Sequence, residues 1–188
     1  MICISAGHHP TKPGACYEGF CEHDEAVRWV DEICSHLGES CLKVPATTLK
    51  EKVAFINARM PRAAIEIHFN AARVWEDLDK NGIQDVGEVR NVGKGALTLY
   101  YPGSKNGLTL ATAIQGNLET LFDRHWNGVM EGWYRMNKKF GPDYFLEKTR
   151  CPAIIIEPEF IHRKDIIQNK RKEACIAIAT TLKEFYNV

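Results

Sequence analysis

The sequence predicts a single α/β domain, a mostly parallel, twisted sheet with helices on both faces. Three observations lead there. Short apolar runs rich in Ile, Val and Leu alternate with longer segments whose apolar residues recur every three or four positions, the signature of strands and their covering helices. The length, 188 residues with 45% hydrophobic content, suits one core rather than two. No repeat or low-complexity linker divides the chain, so the domain is read over residues 1–188, with an insertion at about residues 75–92.

The elements follow in order. Residues 2–5 open as a buried strand. After a Gly/Pro-rich loop, Ala26, Val27, Val30, Ile33, Cys34 and Leu37 mark the apolar face of a helix that Gly38 stops. Residues 42–44 form a brief strand, and Thr48 with Glu51 three positions later reads as a capping box ahead of Val53, Ala54 and Ile56. Pro61 ends that helix. Residues 64–69 and 96–101 are further strands, 108–122 a helix, 153–156 a core strand and 164–185 the closing helix. Residues 126–144 show no period and are expected as a surface lobe.

Composition excludes several classes. Twenty-four Lys and Arg balance 24 Asp and Glu, so no net basic field is available to hold nucleic acid. No apolar run approaches the roughly 18–20 residues of a transmembrane helix. The first residues run into polar motif positions without a charged leader and apolar stretch, so synthesis in the cytoplasm without a signal peptide is expected. Seven scattered cysteines with no C-x-x-C pair read mostly as small buried hydrophobes, not as a disulfide framework or a thiolate metal site. Nothing in the sequence fixes the oligomeric state.

The chemistry concentrates at strand ends. Gly7-His8-His9 follows the first strand, His68-Phe69-Asn70 ends the third, and Glu157 follows Ile154-Ile155-Ile156. Ligands of open α/β sheets collect at the carboxyl ends of strands, so these groups can converge. Glu22, at the start of the first helix, can join them, favoured there by the helix dipole. Taken singly, each has a structural alternative: a hydrogen-bonded histidine, a helix-start carboxylate, or an ion pair for Glu157. Two imidazoles and a carboxylate make a catalytic zinc set that keeps one position for water, and a second carboxylate outside the set can move that water's proton.

At these residues the sequence resembles the zinc-dependent N-acetylmuramoyl-L-alanine amidases shared by bacterial cell-separation enzymes and phage endolysins. The matching segments are Ala6-Gly7-His8, Lys12-Pro13-Gly14-Ala15, Gly19-Phe20-Cys21-Glu22, Ile67-His68-Phe69-Asn70-Ala71 and Pro152-Ala153 through Glu157 to Phe160-Ile161. The resemblance spans nearly the whole chain in order. It implies that His8, Glu22 and His68 bind zinc (Zn2+), that Glu157 is the catalytic carboxylate, and that the substrate is peptidoglycan, cut between N-acetylmuramic acid and L-alanine. His9 stands where the family usually has glycine and competes with His8 for the first ligand position. Glu18, Glu25 and Glu159 are read as surface or supporting residues, and His23, His36, His125 and His162 as non-ligands.

A second cation site is expected in the insertion. Asp77, Asp79, Asn81, Asp85 and Glu88 occupy positions 1, 3, 5, 9 and 12 of a twelve-residue loop, with Gly82 at 6 and the Ile83 carbonyl at 7, the spacing of a calcium (Ca2+) loop. The alternative is a polar hairpin turned by Asn81-Gly82. The leading function is therefore an endolysin-type amidase that reaches the wall after release through a membrane lesion. A zinc peptidase acting within the stem peptide and a non-catalytic wall-binding module of the same fold are the competing readings.

Overall fold

The computed structural model describes residues 1–76, 78–81, 84–85 and 87–188, the side chain of Trp126 excepted. Its strands and helices are β1 (Ile2–Ala6), β2 (Cys16–Tyr17), β3 (Phe20–Cys21), α1 (Glu22–Leu37), β4 (Cys41–Lys43), α2 (Leu49–Arg59), β5 (Ala64–Ile67), β6 (Ala72–Trp75), β7 (Val89–Val92), β8 (Ala96–Tyr100), α3 (Lys105–Leu118), β9 (Arg124–Glu131), α4 (Tyr144–Lys148), β10 (Ala153–Glu157) and α5 (Lys164–Tyr186). Six strands form the main sheet in the order β4-β1-β5-β10-β8-β9. The first four run parallel, and β8 pairs antiparallel with β10 but parallel with β9.

Strand periodicity sorts side chains between two cores. Ile2, Ile4, Ile65, Ile67, Ile154 and Ile156 face α1, α3 and α5, where they pack with Trp29, Ile33, Leu110 and Ile178. Their alternates Cys3, Ala64, Leu97, Leu99 and Ile155 face α2 and α4, against Val53, Ile56 and Phe145. Helices therefore cover both faces, and truncating one of these central isoleucines to Ala costs about 2–5 kcal/mol. Thr48 caps α2 as expected: its side chain accepts from the Glu51 amide while Glu51 reaches back to the Thr48 amide.

Two sequence-based expectations need correction. Residues 126–144 are not one surface lobe, because Arg124–Glu131 is a strand on the sheet edge. A bulge between Ala96 and Thr98, with Gly128 at φ 59°, breaks the alternation that would have revealed it. The cysteines are not mostly isolated hydrophobes: Cys16 bonds Cys21 and Cys34 bonds Cys41, which leaves Cys3, Cys151 and Cys175 as thiols. The first pair closes the β2–β3 hairpin and the second ties the end of α1 to β4.

Of the three carboxylates expected as surface or supporting residues, Glu25 and Glu159 are fully buried supports. Glu25 accepts from Trp29 and Arg171 and pairs with Arg28, joining α1 to α5. Glu159 accepts from the Gly95 and Phe160 amides and pairs with Arg163 at 2.7 Å. Glu18 is exposed and pairs with Lys164. Among the described residues, no helix is long and apolar enough to cross a membrane.

Candidate metal centre and active site

Three neighbouring strands end in one row. The β1–β5 register pairs Ala6 with Ile67, and the β5–β10 register pairs Ile67 with Ile156. One residue further along, Gly7, His68 and Glu157 stand side by side, held by the Gly7 amide on the Ile67 carbonyl (2.7 Å) and the His68 amide on the Ile156 carbonyl (2.9 Å). His68 and Glu157 continue the α2/α4 face of the sheet.

Glu22 enters from the start of α1. The helix has no side-chain cap at Cys21, so its first amides are satisfied by the preceding loop: Glu22 donates to the Ala15 carbonyl and His23 to the Pro13 carbonyl, both at 2.9 Å. The Ala15 amide in turn donates to Glu22 Oε2. Gly14, between those two carbonyls, has φ 80°, and a Cβ on it would meet Glu22 Oε2 and His8 Cδ2 at 2.5 Å. Gly7 shows the same close approach, since its missing Cβ would lie 2.5 Å from the His68 ring. Both glycines make room for the site.

The structure brings His8, Glu22 and His68 together and leaves His9 out. His8 Nε2 lies 2.9 Å from Glu22 Oε2, and His68 Nδ1 lies 2.8 Å from Glu22 Oε1. One ligating atom from each residue lies within 4.8 Å of the other two. His8 has a left-handed backbone, φ 58°, a conformation that costs about 1–3 kcal/mol and is concentrated at functional sites. His9 instead contacts Thr11 Oγ1 at 2.9 Å. Buried His23 braces the strand end through its Nδ1 contact with the Gly7 carbonyl, and among the described residues His36, His125 and His162 also lie outside the cluster.

Electrostatics follow from this packing. Burial pushes the Glu22 carboxyl up, but hydrogen bonds with His68 and His8 outweigh it and hold the group down at about 2. For His68, burial disfavours the charged ring, yet Glu22 and Glu66 together raise its pKa well above the ordinary value. Glu157 is different: burial pushes its carboxyl up to about 7, opposed by His68 and reinforced by Glu22 and Asp143. A carboxyl poised near neutrality suits proton transfer.

Two cavities share walls here. One of about 460 Å³ opens between the His8–Lys12 loop, the start of α2 and His68. The other, about 220 Å³, is lined by His68, Trp133, Arg135, Asp143 and Glu157. His68 and Asp143 line both, so Glu157 shares a cavity with one imidazole of the cluster. The donor chemistry fits zinc, which takes three protein ligands from His and Glu in hydrolytic sites.

The acidic insertion lies between β6 and β7, which pair as an antiparallel hairpin, with no helix flanking it among the described residues. Asp79, Asp85 and Glu88 come within 4.8 Å of one another, while Asp77 and Ile83 lie outside the described residues. Buried Glu88 already accepts from Trp75 Nε1 and from the Leu78 and Asp85 amides, and Asn81 donates its side-chain amide to Asp79 and Asp85. These bonds brace the hairpin.

The N-acetylmuramoyl-L-alanine amidase family model matches residues 2–182, and the chain belongs to that family. Its fold is that of known amidase structures. An N-acetylmuramoyl-L-alanine amidase from Clostridium difficile 630 superposes with a TM-score of 0.75 at 18% identity, covering 99% of this chain and 96% of that one. The catalytic domain of the amidase CwlV from Bacillus (Paenibacillus) polymyxa gives 0.73 at 15% identity, covering 100% and 98%. The catalytic domain of the CD27L endolysin, which targets Clostridia difficile, gives 0.69 at 22% identity, covering 97% and 96%. A comparison with curated proteins found no sequence match.

Proposed function

We propose that the protein is a zinc-dependent peptidoglycan amidase that hydrolyses the bond between the lactyl group of N-acetylmuramic acid and L-alanine of the stem peptide. The observation that carries this is the convergence of His8, Glu22 and His68 beside Glu157, in a chain of the amidase family. Zinc held by those three residues would polarise the scissile carbonyl and make a bound water acidic enough to act near neutral pH. Glu157 accepts the proton of the attacking water and returns it to the departing nitrogen, so the amide gives a free lactyl carboxylate and a free L-alanine amine.

The endolysin role and action on the wall after release belong to the same proposal. They are supported by the location of peptidoglycan and by the fold shared with an endolysin catalytic domain.

The test is product analysis on purified peptidoglycan. New L-alanine amino termini with intact muramic acid, lost on chelation and restored by zinc, are the expected result. Cleavage inside the stem peptide would identify a peptidase, and wall binding without products would identify a binding module.

A further inference from the structure

We propose that Glu66 and Lys52 are positioning residues of the metal centre: Glu66 holds the His68 proton on Nε2 so that Nδ1 faces the ion, and Lys52 holds Glu66. This rests on the zinc reading above. The two nitrogens of His68 face two carboxylates, with Nδ1 2.8 Å from Glu22 Oε1 and Nε2 3.2 Å from Glu66 Oε2. A neutral imidazole has one N–H and one lone pair. With the proton donated to Glu66, the lone pair on Nδ1 points into the His8–Glu22 cluster. With the proton on Nδ1, it would be spent on Glu22 and the nitrogen could not coordinate. The carboxylate behind the ring therefore decides whether His68 is a ligand.

Lys52 explains why Glu66 stays in that role. Both side chains are buried, at 2% and 3% exposure, and the ammonium donates to Glu66 Oε1 at 3.0 Å. The same ammonium donates to the carbonyl of Ala6, the last residue of β1 before Gly7 and His8. One cation on α2 thus ties together the two strand ends that carry His8 and His68. A buried lysine is rare unless paired, and such a pair can often be replaced by apolar residues of similar volume without loss of stability. Folding alone does not call for a charged pair at this place, whereas ligand orientation does.

The discriminating comparison is between Glu66→Leu and the double variant Lys52→Met/Glu66→Leu, each assayed for zinc affinity by chelator competition. The double variant leaves no unpaired charge and keeps the test open if the single variant does not fold. Positioning predicts that zinc binding weakens about 10- to 100-fold in the double variant even when its metal-free melting temperature matches wild type. Nitrogen-15 shifts of histidine in zinc-loaded wild type are expected to show His68 protonated on Nε2. Zinc affinity of the folded double variant within twofold of wild type, or a His68 proton on Nδ1, overturns the inference alone. Wild type that takes up no zinc overturns the metal centre and the inference with it.

Discussion

The ring of His68 occupies the space that a side chain on Gly7 would need. A Cβ there would stand 2.5 Å from the ring, and one on Gly14 would stand equally close to Glu22 Oε2. Gly7→Ala is expected to lower zinc content and activity at least tenfold while costing about 1–3 kcal/mol of stability from overpacking. Gly14→Ala should behave alike, with added strain from its positive φ. Metal analysis and thermal melting on the same samples check both, and normal zinc occupancy in either variant would show that the cluster can move aside.

Zinc content separates the two adjacent histidines. His8→Ala is expected to lose most bound zinc, whereas His9→Ala, whose native ring contacts Thr11, should retain it. Equal losses would reopen the first ligand position.

Glu157→Gln should keep the fold and the zinc while turnover falls by about 10²-fold or more, since the amide cannot accept the water's proton. Residual activity close to wild type would remove Glu157 from the reaction.

The same variant reports on pH. The folded pKa of Glu157 stands at about 7, above the ordinary 4.5. Burial therefore favours the protonated form: that contribution is complete below pH 4.5 and is lost as pH rises through about 7. In chelator-treated protein, Glu157→Gln should gain on wild type across this window, by on the order of 3 kcal/mol at alkaline pH. Parallel pH–stability curves would contradict the burial of that charge.

Thiol counting tests the disulfides. Protein unfolded without reductant should show three reactive thiols, from Cys3, Cys151 and Cys175. In the native state their reaction should be slow, because burial pushes Cys3 up to about 11 and Cys151 to about 12. Each closed loop is short, so reduction should cost only about 2 kcal/mol per bridge. Seven thiols would restore the expectation that the cysteines are unpaired.

The groups that converge from separate strand ends were legible in the sequence because each ends an apolar run or opens a helix, and strand topology does the rest. His68 and Glu157 needed only their neighbours Ile67 and Ile156 to be placed in register. Lys52 was not legible. It lies one position from Glu51 in a helix whose charges look solvated, and only the packing of α2 on the sheet reveals that its ammonium reaches Ala6 and Glu66. The partners of Glu25 and Glu159 are hidden for the same reason: Arg171 and Gly95 are 146 and 64 residues away. Cys16 and Cys21 face each other on two paired strands of two residues each, too short to leave a periodic trace.

The row formed by Gly7, His68 and Glu157 sets a distance that no loop controls. Adjacent strands are spaced about 4.8 Å apart, so His68 and Glu157 inherit their separation from backbone hydrogen bonding. Trp133 and Arg135, by contrast, stand on a turn-rich segment beyond the sheet edge. Exchanging that segment would therefore reshape the cavity beside Glu157 while the spacing of the strand row stays with the scaffold.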